Sequence, residues 1–241
     1  MTPLVMVHGF MGGAAQWDGQ IAALAATSDV IALDLPGFGA NNHLAPITTI
    51  SGFADWVIAE LQQRGVTRFH LLGHSMGGMI AQEIARKVPS QIGQLVLYAT
   101  GAIGVLPGRF ETIAQSKARA KTDGPKATAR RIAATWFGDG AAAPAYPACA
   151  AIAERATAAA IAGGLDAMQS WSGETALPAL PHDTLIIWGD RDRTYQWAQI
   201  ALLWDNIPNS QLSVLPGCAH AAHLEKPALF NMVLRDHLAI R

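Results

Sequence analysis

Six residues, Gly73-His74-Ser75-Met76-Gly77-Gly78, constrain this chain more than any other segment. An apolar run, Arg68-Phe69-His70-Leu71-Leu72, leads into them, and a helical run from Met79 to Lys87 follows. The segment therefore reads as strand, very tight turn, helix. The glycines of this G-x-S-x-G pattern let strand and helix approach closely around a serine held in a strained turn, which presents the Ser75 hydroxyl as a nucleophile. The N–H of Met76, at the helix N-terminus, points to where an oxyanion would form.

A serine hydroxyl attacks poorly until a base takes its proton and an acid orients that base. With this turn the chain order is serine, acid, histidine, so both partners lie C-terminal to Ser75. Of His182, His220, His223 and His237, only His220 sits just past a strand-like run, Gln211 to Leu215, where catalytic loops of open α/β sheets collect. His223 reads as a residue packing near the site, His237 as a surface residue of the last helix, and His182 as lying at the wrong end of the sheet. The acid candidates are Asp190 and Asp192, both on the loop after Thr184 to Trp188. Spacing does not choose between them; the other one would shape the loop by capping backbone N–H groups.

Four segments together resemble the α/β-hydrolase-fold superfamily, in its esterase, lactonase and C–C-bond hydrolase group. They are His8-Gly9-Phe10 after the first strand, Asp34-Leu35-Pro36-Gly37-Phe38-Gly39 after the second, the Ser75 turn, and His220 with Glu225-Lys226-Pro227. The resemblance spans the chain outside roughly residues 102–180. It implies that the acid is the fourth residue of the G-x-x-D run Gly189 to Asp192, hence Asp192. It also implies a second oxyanion donor beside Met76, the N–H of Phe10, with Phe10 and Met11 side chains walling the site. Asp34 precedes the serine and is expected to be structural.

Apolar strand-like runs near residues 4–7, 29–33, 69–72, 94–98, 184–188 and 211–215 alternate with helical patterns. This predicts an α/β fold with about six strands in a mainly parallel sheet, flanked by helices on both faces. An uncovered sheet edge would allow a dimer contact, so monomer and homodimer both stand. The rhythm breaks after Gly101. Residues 1–101 and 181–241 form the expected core, and residues 102–180 an expected helical cap over Ser75, broken at Gly124-Pro125, Gly138 to Gly140, Pro144 to Pro147 and Gly163-Gly164. Within it, Trp136, Phe137, Met168 and Trp171 are candidates for pocket lining or for packing of cap on core; His223 is a further candidate beside the base. The basic residues Arg109, Lys117, Arg119, Lys121, Lys126, Arg130 and Arg131 outnumber Glu111 and Asp123 there. They read better as a solvated helix face than as a mouth for carboxylate substrates.

A net charge of −1 gives no reason to expect a nucleic-acid or anionic-membrane partner. No apolar run reaches the length of a membrane span. Cys149 and Cys218 fit free thiols in a reducing compartment, and with no basic apolar leader the expected location is cytoplasmic. No histidine–cysteine cluster has zinc spacing, and neither a G-x-G-x-x-G after a strand nor a phosphate loop is present, so no metal, nucleotide or other cofactor is expected. The expected activity is serine-dependent hydrolysis of a small to medium carboxylic ester or lactone. C–C-bond hydrolysis of a ring-cleavage diketone, thioester hydrolysis and a non-catalytic small-ligand receptor are the alternatives. His74 stands where C–C hydrolases of this type often carry asparagine, which leans against that chemistry.

Overall fold

The computed structural model describes residues 2–107 and 111–238. In chain order it contains β1 (Leu4–Val7), α1 (Asp18–Leu24), β2 (Val30–Leu33), α2 (Ile50–Gln63), β3 (Phe69–His74), α3 (Met76–Lys87) and β4 (Ile92–Tyr98). Then come α4 (Ile113–Ala134), α5 (Tyr146–Ala153), α6 (Ala158–Gln169), β5 (Asp183–Gly189), α7 (Trp197–Asn206), β6 (Ser210–Leu215), α8 (Ala222–Glu225) and α9 (Pro227–His237). The six strands form one sheet in the order β2-β1-β3-β4-β5-β6, and every pairing is parallel.

Side-chain alternation along each strand explains why helices cover both faces. Val5, Val7, Leu71, Leu95, Leu97 and Ile186 face a core completed by Phe53 and Val57 of α2, Ile80 and Ile84 of α3, and Ile200 and Leu203 of α7. Their neighbours Leu4, Met6, Leu72, Val96, Leu185 and Ile187 face the other side, against Trp17, Leu24 of α1, and Phe230 and Leu234 of α9. Each fully buried Leu, Ile or Phe adds about 1.5–3 kcal/mol. From β1 the chain pairs β2 on one side and β3 on the other. The crevice at the C-terminal ends of β1 and β3 is where a parallel sheet of this kind places ligands.

The long segment between β4 and β5 leaves and returns through a narrow neck. Ile103 and Ser172 form an antiparallel bridge, with Gly104 N–H donating to Trp171 O (3.1 Å) and Gly173 N–H to Ala102 O (2.8 Å). α4 bends at Gly124 (φ 79°) before Pro125, at the break the sequence marks. Gly163-Gly164 is different: both residues lie inside α6. A Cβ on Gly164 would sit 2.8 Å from the Phe10 ring, and one on Gly163 would sit 3.1 Å from Ile47 O. These glycines let α6 press against the loops beyond β1 and β2, so they mark close approach rather than a helix break. Among the described residues no single helix is long and apolar enough to cross a membrane; α5 and α6 pass that test only together and are bent by 96°.

Candidate active site

Ser75 occupies the turn between β3 and α3 with φ 56° and ψ −120°. For a non-glycine residue this conformation costs about 1–3 kcal/mol and survives only where the surroundings enforce it. Here Ser75 N–H donates to Tyr98 O (2.9 Å) and Thr100 Oγ1 donates to Ser75 O (2.7 Å). The flanking glycines are required by space: a Cβ on Gly73 would lie 2.2 Å from Gly77 O, and one on Gly77 would lie 2.3 Å from Val7 O. The turn is thus wedged against the end of β1.

The loop after β1 lies on this turn, since a Cβ on Gly9 would come 2.9 Å from Ser75 Cβ. His8 holds it there. Leu35 N–H donates to His8 Nε2 (3.0 Å), so the ring proton sits on Nδ1 and is shared with Gly9 O (2.7 Å). Burial holds His8 below the ordinary histidine range, the neutral form this bonding needs. Asp34 is structural, as expected: its Oδ1 accepts Ala14 N–H (2.9 Å), and its main-chain carbonyl accepts Asn41 Nδ2–H (2.7 Å).

On the far side of the crevice, His220 Nδ1 meets Asp192 Oδ2 at 2.9 Å, with both side chains essentially buried. Asp192 Oδ1 accepts Thr194 N–H (2.7 Å) and Tyr195 N–H (3.2 Å), which sets the carboxylate plane. Asp190 points elsewhere, accepting Gly217 N–H (2.6 Å), so of the two aspartates it is Asp192 that reaches the histidine. The Tyr195 ring stacks parallel to His220 at 5.7 Å between centroids. Beneath His220, His74 Nε2 (3.1 Å) and the Tyr98 hydroxyl (3.0 Å) both reach its carbonyl oxygen.

Ser75, His220 and Phe10 open into one cavity, further lined by Leu106, Ile132, Thr135, Trp136, Met168, Thr194 and Tyr195. Of the sequence candidates for the pocket, Trp136 and Met168 line it; Met11, Phe137, Trp171 and His223 do not. Met11 is fully buried in the main core at φ 59°, and Phe137 is fully buried in the same core. The Trp171 indole N–H donates to Glu83 Oε1 (3.0 Å) on α3. His223 lies below the site, packed at a tilt against Trp17 with centroids 4.5 Å apart and touching the Tyr98 hydroxyl at 3.1 Å; burial, then the neighbouring His220, lowers its pKa to about 3. Thr194 and Tyr195 directly follow the acid loop and were findable from it; Leu106 and Ile132 are ordinary apolar residues with no local signal. Of the basic residues in the insertion, Lys117 pairs with Asp166 (2.5 Å), Arg130 with Glu154 (2.5 Å), and Arg119 (3.3 Å) and Arg131 (2.9 Å) with Glu111. Arg109 lies outside the described residues. Among the described residues no group of three or more histidine, cysteine or acidic side chains is placed to hold a metal ion. His182 contacts Pro89 O (3.0 Å) near the start of β4. His237 is half-buried rather than a free surface residue.

The model of the alpha/beta hydrolase family matches residues 4–233. The chain belongs to that family. A protein named "Putative carbamate hydrolase RutD" from Stutzerimonas stutzeri (strain A1501) is 28% identical over 98% of this chain and 91% of its own length. The acetyltransferase component of the acetoin cleaving system of Pseudomonas putida is 39% identical over 103 residues; this match takes in 43% of the chain and only 28% of that larger protein. Among solved structures, a thermophilic esterase from Thermogutta terrifontis superposes with a TM-score of 0.89 at 25% identity, covering 99% of this chain and 90% of its own. Membership of this family supports hydrolase activity.

Proposed function

We propose that this hydrolase cleaves small to medium carboxylic esters or lactones through an acyl-enzyme on Ser75. The observation that carries the reading is that Ser75 and His220 open into the same cavity while Asp192 grips the far nitrogen of the His220 ring. His220 Nε2 takes the Ser75 proton as the hydroxyl attacks the carbonyl carbon. Asp192 holds the proton on Nδ1 and stabilises the imidazolium that forms. The N–H groups of Phe10 and Met76 receive the oxyanion. His220 then protonates the leaving alcohol, activates water and closes the cycle. Every proton moves among side chains of this chain, the substrate and the attacking water, so the scheme uses no metal or organic cofactor.

The helices of the insertion act in this reading as a cap that excludes water and shapes the acyl pocket. An apolar lining of Phe10, Leu106, Ile132, Trp136 and Met168 suits a small uncharged acyl chain. The esterase neighbour supports the same substrate class. Carbamate cleavage is the second reading, favoured by the full-length match to RutD and chemically adjacent because it too passes through an oxyanion. We place the protein in the cytoplasm, where Cys149 and Cys218, both free and buried, would stay reduced.

The test is p-nitrophenol release from a graded series of acyl esters by wild type and Ser75→Ala. The expected result is turnover highest on short chains and lowered at least about 10³-fold in the variant. Ester turnover that survives in Ser75→Ala would show the assignment to be wrong. A folded wild type that cleaves a carbamate but no ester would transfer the mechanism to the second reading.

A further inference from the structure

Glu225 closes a bridge that the proposed reaction does not itself use. Its Oε2 accepts the N–H of Ala219 (2.6 Å), the residue before His220, and its Oε1 accepts the N–H of Gly138 (2.8 Å), in the insertion 87 residues away. Two further bonds fasten the same stretch. Ala221 N–H donates to Trp136 O (2.9 Å), and Arg193, next to Asp192, donates from Nη2 to Phe137 O (3.2 Å). Residues 136–138 are therefore tied to the loops that carry His220 and Asp192, although they belong by sequence to the helical insertion. The Trp136 indole lines the cavity beside Ser75 and His220.

We infer that Glu225 is a positioning residue that locks the Trp136 wall in register with His220, and so fixes the length of acyl chain the site accepts. The inference rests on the serine-hydrolase reading above. Its physical basis is that two main-chain N–H groups, one from each segment, converge on the two oxygens of one carboxylate. Charge-assisted bonds of this kind are short and hold geometry well. A wall held this way is fixed to the loops of His220 and Asp192, and a small displacement of such a wall is enough to change turnover strongly.

The test replaces Glu225 by Gln. The amide has one acceptor oxygen for two N–H donors, so one of the two ties is lost while the size is kept. Turnover is measured on p-nitrophenyl acetate and octanoate in wild type, Glu225→Gln, Trp136→Ala and the double variant. Labelling rates with a short and a long alkyl fluorophosphonate are followed in the same proteins. The expected result is that Glu225→Gln lowers the acetate-to-octanoate ratio of kcat/KM about tenfold. Trp136→Ala should lower it as well, and the double variant no further than Trp136→Ala alone, because both changes act through one wall. A role confined to stability would scale both substrates equally. A constant ratio in Glu225→Gln, or additive effects in the double variant, therefore overturns the inference. If Glu225→Gln does not fold, Glu225→Asp keeps the charge but is too short to span both donors, and is held to the same outcomes. A wild type that neither turns over esters nor labels at Ser75 defeats the parent reading, and the inference with it; a wild type that does both while the variant ratio stays constant defeats the inference alone.

Discussion

Replacing Asp192 by Asn tests the orientation of the base, and the surrounding bonds dictate which way the amide must turn. Oδ1 of Asp192 accepts two main-chain N–H groups, from Thr194 and Tyr195, at 2.7 and 3.2 Å. The amide NH₂ cannot face two donors, so the amide oxygen takes that side and the NH₂ is left facing His220 Nδ1. A donor there forces His220 to present a lone pair at Nδ1 and to carry its proton on Nε2, the nitrogen that must accept from Ser75. The base is then in the wrong tautomer. The expected fall in kcat is about 10⁴-fold, which corresponds to about 5.5 kcal/mol of lost transition-state stabilisation. Stability should change little, since both main-chain bonds survive; a loss near 1 kcal/mol would move Tm by about 2–4 °C in a chain of this size. The assay is p-nitrophenyl acetate hydrolysis at pH 7 with a parallel thermal melt, and with Asp190→Asn as control. The Asp190 carboxylate accepts from Gly217 on the loop after β6 and does not reach the His220 ring, so that control should keep most of its activity. An Asp192→Asn enzyme within tenfold of wild type would show that Asp192 does not set the His220 tautomer, as would an Asp190→Asn enzyme that loses activity to the same extent.

Gly77→Ala would drive a Cβ to within 2.3 Å of Val7 O and 2.6 Å of His8 O, both main-chain atoms that cannot step aside. It should cost more than about 3 kcal/mol or abolish folding, and a urea midpoint shifted by less than about 1 kcal/mol would contradict this. Tyr98→Phe removes the hydroxyl that accepts His223 N–H (3.1 Å) and reaches His220 O; a cost of about 1–3 kcal/mol is expected, and an unchanged urea midpoint would count against it. Acid should weaken the fold through buried neutral histidines. Burial lowers the pKa of His8, His74 and His223, the last to about 3, so below the unfolded value of 6.5 the unfolded chain binds protons that the native state refuses. Stability is full above pH 6.5 and falls as pH drops toward the folded pKa, by about 1.4 kcal/mol per pH unit for each such histidine. Melts between pH 7 and pH 4 should show this slope, and His223→Gln should make it shallower; a flat profile would refute the assignment of neutral histidines.

That Ser75, an aspartate at 190 or 192, and His220 share one end of the sheet was legible in the sequence, because each stands shortly after a strand-like run and the order of the runs limits which loops can meet there. The choice between Asp190 and Asp192 was not legible from spacing, because both occupy one loop and only three-dimensional direction separates them. The cavity wall was read in part. Trp136 and Met168 face inward, but Phe137 follows Trp136 in the chain and is buried on another side, and the Trp171 indole found Glu83 instead. Aromatic character alone does not say which way a residue faces when its segment lacks a regular period. The Gly163-Gly164 pair failed for a related reason: glycine reads as a helix break locally, whereas here it serves contact with Phe10, a residue remote in sequence.

In the proposed mechanism Ser75 is a nucleophile activated by His220. Intact-mass and peptide analysis after brief treatment with an alkyl fluorophosphonate tests it most directly, in wild type, Ser75→Ala and His220→Ala. A single adduct is expected on the peptide bearing Ser75 in wild type, none in Ser75→Ala, and much slower labelling in His220→Ala. A folded wild type that takes no label, or one labelled elsewhere while Ser75 stays free, would contradict it.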